Sequence, residues 1–174
     1  TFTLQSGEDI YISGDTMSSC LVAGTLITLH NNTQVSIETL KVGDILKSVQ
    51  IEGLEDTNDV IELKKWESNN LTTLDTYSKV SEISKETVPV IVTFNKGLLR
   101  GSTRHVQLVK RAGEWRFLRF GEVKVGDIFI NENQEEIEIQ TVDIEITPTE
   151  VYRVVLEVPS HTFYANNVLT HNIK

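Results

Sequence analysis

One thiol, four imidazoles and an asparagine near the C-terminal end are the side chains of this 174-residue chain best suited to breaking a peptide bond. Cys20 could attack the carbonyl carbon of Ser19 and convert the Ser19–Cys20 peptide into a thioester, provided that the departing amide nitrogen is protonated. In the segment Gly101-Ser102-Thr103-Arg104-His105, small hydroxyl residues precede an imidazole at the start of a strand, so hydroxyl and ring could converge on one peptide group. Asn172 could attack its own main-chain carbonyl, close a succinimide and release whatever follows it. Because that reaction is intramolecular, a well-held geometry supplies roughly 7–11 kcal/mol in favourable cases. His161 and His171 bracket Thr162–Thr170, a hairpin with Asn166-Asn167 at its tip, which brings both rings to one end beside Asn172. There an imidazole could polarise the carbonyl or shuttle its proton. Each residue also has a plain reading: a lone cysteine packs well as a small hydrophobe, and His30, ahead of Asn31-Asn32, is a solvated turn position with no role.

The elements that must position these residues read as strands. Apolar runs of four to eight residues, rich in Val, Ile, Thr and aromatics, fall at Gly24–Leu29, Asp44–Gln50, Val88–Phe94, Val106–Lys110, Trp115–Arg119, Asp127–Ile130, Ile137–Ile146, Val151–Val158 and Thr162–Ala165. Turn signals separate them at Asn31-Asn32, Lys96-Gly97, Ala112-Gly113, Asn131–Asn133 and Asn166-Asn167. The fold class expected is all-β. Within Ile137–Ile146 the alternation changes phase at Thr141, which predicts a bulge there. The stretch 52–79 mixes acidic, Ser, Asn and Thr residues with few apolar ones, and reads as a flexible insertion. Lys41-Val42-Gly43-Asp44-Ile45 returns 83 residues later as Lys124-Val125-Gly126-Asp127-Ile128, each time after two strand-like segments. Matching context favours an internally duplicated domain, against the simpler reading that Gly-Asp satisfies a turn twice.

Composition narrows the function. With 39% hydrophobic and 24% charged residues the chain is an ordinary globular one, long enough for a continuous core. No run of about 18 apolar residues exists to form a spanning helix, and residues 1–19 lack the basic start and apolar centre of a signal peptide. A net charge of −9 argues against nonspecific nucleic-acid binding. A single cysteine forms no internal disulfide and no Cys-x-x-Cys zinc site.

Taken in order, several segments resemble those of inteins and the wider Hint group, which includes bacterial intein-like and hedgehog autoprocessing domains. Cys20-Leu21-Val22-Ala23-Gly24-Thr25 looks like the N-terminal splicing block, and Ile37–Ile45 like the segment leading into the first Val-Gly-Asp turn. Ser102-Thr103-Arg104-His105 is similar to the block usually written Thr-x-x-His. Val151-Tyr152 with His161–Asn166 resembles the penultimate block, and Val168-Leu169-Thr170-His171-Asn172 the terminal one. The resemblance implies a horseshoe-like β fold with pseudo-two-fold symmetry over residues 20–172, without room for a homing endonuclease between Ile130 and Val151. It implies single-turnover autoprocessing: Cys20 as nucleophile of an N-to-S acyl shift, His105 protonating the scissile nitrogen with Ser102 and Thr103 orienting it, and His161 and His171 activating Asn172. It requires no cofactor and no metal, although a thiol near imidazoles could take up zinc adventitiously. Thr1–Ser19 and Ile173-Lys174 would be flanks, or exteins, and these flanks the partners of a monomeric domain that follows its host to the cytoplasm, with no nucleic acid and no membrane.

Three departures matter. Ser102 replaces the usual threonine but keeps the hydroxyl, and Arg153 stands where many inteins have an aspartate. Ile173 stands where a splicing intein needs Cys, Ser or Thr to accept the acyl group, so cleavage is favoured over ligation. Two rivals stay open: a cysteine hydrolase acting in trans through Cys20 with His105 or His161, and an inactive β-rich binding module.

Overall fold

Short apolar segments punctuated by turn residues can satisfy their backbone polar groups only by pairing edge to edge. The computed structural model describes residues 2–3, 19–157 and 160–172, so most of the expected flanks, and Val158 at the end of one expected strand, lie outside the described residues. In chain order the strands are β1 (Phe2–Thr3), β2 (Leu21–Val22), β3 (Leu26–Thr28), β4 (Gln34–Ser36), β5 (Ile45–Ile51), β6 (Glu67–Ser68), β7 (Thr73–Val88), β8 (Ile91–Phe94), β9 (Leu99–Gly101), β10 (Val106–Arg111), β11 (Glu114–Arg119), β12 (Ile128–Ile130), β13 (Glu136–Glu138), β14 (Val142–Glu145), β15 (Thr149–Leu156), β16 (Thr162–Ala165) and β17 (Val168–His171). One helix, α1 (Val60–Lys64), and 3-10 turns at Ile37–Thr39 and Phe120–Glu122 complete the described elements. The protein is all-β, as expected.

Two open sheets carry the strands. One runs β1-β14-β8-β9-β2-β15-β7-β5; the other runs β13-β12-β10-β17-β16-β3-β4, with β11 and β6 added alongside β10. The expected turns hold hairpins: Ala112 and Gly113 take φ of 52° and 81° between β10 and β11, and Asn166 and Asn167 take 48° and 67° between β16 and β17. Two consecutive left-handed residues match the twist of a two-residue hairpin, which is why Asn and Gly occupy them. The core beneath the site is aromatic, with Phe94 edge-on to Phe120 and Phe129 at centroid distances of 4.9 and 5.2 Å.

The two copies of the pentapeptide adopt one conformation. Gly43 and Gly126 both have φ of 96°. The Asp44 and Asp127 carboxylates accept the N–H of Lys41 and Lys124 at 3.0 and 2.9 Å. Gly43 and Gly126 donate to the carbonyls of Val80 and Ile139, both at 2.8 Å. A 3-10 turn and, before it, a hairpin precede each copy: β3–β4 for the first, β10–β11 for the second.

Two expectations are corrected. The phase change at Thr141 is not a bulge but a change of sheet: β13 pairs with β12, whereas β14 pairs with β8 in the other sheet. The Asn95 side chain accepts the N–H of Gln140 and of Thr141 at 2.7 and 3.3 Å, holding the corner. A bulge does occur where β7 changes partner from β5 to β15: Val155 faces Glu82, Leu156 faces Val80 and Ser81 is the extra residue. The stretch 52–79, expected as an irregular insertion, contains α1, β6 and the first part of β7, the longest described strand. β7 pairs with β5 through Thr73–Lys79 and with β15 through Val80–Val88. Its apolar content is low because much of it faces solvent, and the two flanking backbone ladders supply what the side chains do not. Leu63 and Trp66 anchor the helix and the residues after it against Phe117 and its neighbours.

The paired turns differ in one respect that can be measured. Among the described residues, Asp44 forms its ion pair with a largely exposed Lys41, while Asp127 is 2% exposed and accepts two hydrogen bonds from Arg111 at 2.8 and 2.7 Å. Removing one partner of a buried pair strands the other charge. In urea unfolding, Asp127→Ala should cost about 3 kcal/mol and Asp44→Ala less than about 1 kcal/mol.

Candidate functional site

The N-terminal junction is built by close backbone approach. Leu21 pairs with Gly101, and a Cβ on Gly101 would lie 2.5 Å from the Cys20 carbonyl oxygen and 2.8 Å from the Phe120 ring. Only glycine fits there. That approach lets Ser102 N–H donate to the Cys20 carbonyl at 3.0 Å and places Ser102 Oγ 3.2 Å from the Cys20 amide nitrogen, whose N–H it accepts. The thiol is 1% exposed, with Sγ 3.7 Å from Glu86 Oε1.

His105 lies between the two junctions. Its Nδ1 is 2.8 Å from Ser19 Oγ and its Nε2 is 2.7 Å from Thr170 Oγ1. The loop that carries it is pinned by Phe120 N–H to the His105 carbonyl at 2.7 Å and Gly121 N–H to the Thr103 carbonyl at 2.9 Å, with the Phe120 ring 4.6 Å from the imidazole. Burial, aided by the nearby His171, pushes the His105 pKa down to about 3, so the ring is neutral at physiological pH. Its tautomer follows from the hydroxyls. Thr170 Oγ1 donates to the Val106 carbonyl at 3.2 Å and therefore accepts from His105 Nε2–H, leaving Nδ1 to accept the Ser19 hydroxyl proton.

The C-terminal site is built on the β16–β17 hairpin, which pairs Thr162 with His171. Asn172 N–H donates to the His161 carbonyl at 2.8 Å, and the two imidazoles lie 5.9 Å apart between centroids. Both are tied to Asp56, in the connection between β5 and α1. Asp56 accepts His161 N–H at 2.7 Å and contacts His161 Nδ1 at 3.2 Å and His171 Nε2 at 2.6 Å. Burial opposes the charge on Asp56, but these histidine hydrogen bonds outweigh it and hold the carboxyl well below its usual range. Among the described residues, His171 Nδ1 and Asn172 Nδ2 are buried with no hydrogen-bond partner. In the neutral ring that donates Nε2–H to Asp56, the lone pair lies on Nδ1. Asp56 also lines a cavity of about 580 Å³ together with Leu54, Ser160 and Thr162.

Asp56, His161 and His171 present donor atoms within 4.8 Å of one another, a set that could hold a metal ion. Cys20 is not part of that group. His30 is exposed, its Nδ1 3.3 Å from the Ile45 carbonyl, and stands outside the site. Arg153 binds Glu82 and Ser84 on β7. Three residues escaped the sequence reading. Asp56 sits in an acidic stretch among five other acidic residues between 52 and 67, Glu86 gives no signal within its strand, and only the position of Thr170 beside His171 marks it.

No protein-family model matches the sequence, and no curated protein is similar to it in sequence. Solved structures are similar in fold. The bacterial intein-like domain from Clostridium thermocellum superposes with a TM-score of 0.67 at 22% identity, over 88% of this chain and 99% of that one. For the gp41-1 intein the values are 0.60 and 19%, over 88% and 98%. For a DnaB intein from Synechocystis sp. PCC 6803 they are 0.58 and 18%, over 88% and 97%. The chain has the intein-like Hint fold.

The buried neutral imidazole makes stability depend on pH. Below about 6.5, the ordinary histidine value, the unfolded chain takes up a proton at His105 that the folded chain refuses down to about 3. Stability should therefore fall as the pH is lowered through this window. Thermal midpoints measured from pH 7 to 4.5 should decline less steeply in His105→Gln than in the parent.

Proposed function

We propose that this domain, an element embedded between two flanking segments of polypeptide, cuts its own chain at both junctions. The observation that carries the reading is the imidazole of His105, hydrogen-bonded to Ser19 at one junction and to Thr170, two residues from Asn172, at the other. At the first junction Cys20 Sγ adds to the Ser19 carbonyl carbon while Glu86 receives the thiol proton. The bond to the Cys20 nitrogen then breaks, and that nitrogen gains a proton through Ser102, whose hydroxyl already contacts its N–H. The net proton is the thiol's own, and the product is a thioester with a free amine on Cys20. His105, which the resemblance casts as the proton donor to this nitrogen, is neutral with its ring proton directed at Thr170 Oγ1, so it instead orients the Ser19 acyl group, and Thr103 supports the loop that carries the imidazole.

At the second junction Asn172 Nδ2 attacks its own carbonyl carbon, the bond to Ile173 breaks, and a succinimide and a free Ile173 amine result. His171 Nδ1 accepts the proton that Nδ2 loses and passes it to the departing Ile173 nitrogen, while Asp56 fixes the tautomer, as the carboxylate of a catalytic triad does. His161 shares the carboxylate and holds the Asn172 backbone through its own carbonyl. Ile173 carries no nucleophile, so the thioester passes to water or to an external thiol, and cleavage prevails over joining of the flanks. A hydrolase acting in trans would need an accessible thiol, and that of Cys20 is 1% exposed.

The test is incubation with and without dithiothreitol, followed by mass measurement of the fragments. Thiol should release residues 1–19, and Cys20→Ala should abolish that cut. Asn172→Ala should abolish release of Ile173-Lys174 alone; protein that stays uncut in every condition would leave only an inactive module. Asp56→Asn should slow C-terminal release about tenfold or more while thiol-dependent cleavage proceeds at its usual rate.

A further inference from the structure

We propose that the domain has a subsite for the side chain that precedes its nucleophile, and that the subsite selects a small hydroxyl residue, serine or threonine. The inference rests on the autoprocessing reading, under which Ser19 belongs to the substrate and not to the machinery. Ser19 is nonetheless enclosed like a core residue, at 3% exposure. Its Oγ accepts the N–H of Val106 at 3.3 Å and donates to His105 Nδ1, 2.8 Å away. Both partners are buried, His105 at 1% and Val106 at 0%.

A hydroxyl can do both things at once, because it carries one proton and two lone pairs. An alanine at position 19 removes that partner from both groups, and a buried polar atom without one is costly. A leucine removes it and must also find room in a space with almost no access to solvent. Sites built to bind a hydroxyl reject analogues that lack it more strongly than apolar pockets reject a change of size. The flank residue acts on the chemistry as well as on affinity. By donating to Nδ1 it keeps the His105 proton on Nε2, facing Thr170, and it fixes the acyl carbon that Cys20 attacks. The subsite thus defines a substrate class: polypeptides that end in a small hydroxyl residue just before the domain.

The experiment uses the full chain with Ser, Thr, Ala, Val or Leu at position 19. Three readouts are taken: the rate of thiol-dependent N-terminal cleavage, the rate of Ile173-Lys174 release as a control, and the nitrogen-15 resonances of the His105 ring. Ser19→Thr should cleave within about threefold of the parent, Ser19→Ala about tenfold more slowly, and Ser19→Leu slower still, with C-terminal release within threefold throughout. Ser19→Ala should also shift the His105 Nδ1 resonance, as expected when a ring nitrogen loses its hydrogen bond. Equal N-terminal rates for Ser, Ala and Leu would overturn the proposal. If no protein cleaves at either junction, the autoprocessing reading fails, and an unchanged His105 resonance in Ser19→Ala would overturn the subsite independently. Should Ser19→Leu not fold, Ser19→Thr and Ser19→Ala decide the question.

Discussion

The imidazole of His105 is enclosed by protein with a hydroxyl on each nitrogen, and the rest of the site depends on that arrangement. A hydroxyl of the right sense on each nitrogen holds a buried ring of this kind in one tautomer. Here the partners come from opposite ends of the chain: Ser19 from the segment ahead of β2, and Thr170 from the last hairpin. The hydrogen bonds are modest individually, but they fix where the two ends lie relative to each other. Gly101, which lets β9 approach Cys20, and Phe120, which walls the ring, are needed for the same enclosure.

The sheet architecture brings those ends together. Each Gly-Asp turn donates to the carbonyl of a switch point: Val80, where β7 changes partner from β5 to β15, and Ile139, just before the chain passes from one sheet to the other. The turns share a backbone geometry but not an energetic role. Asp44 satisfies its own turn at the surface, whereas Asp127 also receives the Arg111 guanidinium and is buried beneath it. One local solution serves in two environments because each carboxylate caps an amide only three residues away.

Asp56 changes the meaning of the segment that carries it. The connection from β5 to α1 supplies a carboxylate to two imidazoles, lines the cavity beside them, and is secured by a helix whose Leu63 is buried. On the other side, the carboxylate near the thiol comes from Glu86 on β7, while Arg153 on β15 is occupied with Glu82. The chain thus meets two needs for negative charge from one stretch of 31 residues, from Asp56 through Glu86.

The sequence by itself determined the β class, the hairpin positions, and the identity of Cys20, His105, His161, His171 and Asn172 as the chemically capable set. These follow from features a few residues long: alternation, Asn and Gly where φ must be positive, and residue types with known reactivity. It did not determine that Asp56 clamps two histidines, that Glu86 approaches the thiol, that Ser19 is enclosed, or that the phase change at Thr141 is a change of sheet. Those contacts join residues 46 to 115 positions apart, and separation of that order leaves no periodic trace in a chain. Only the folded sheets, by fixing which strands are neighbours, decided them.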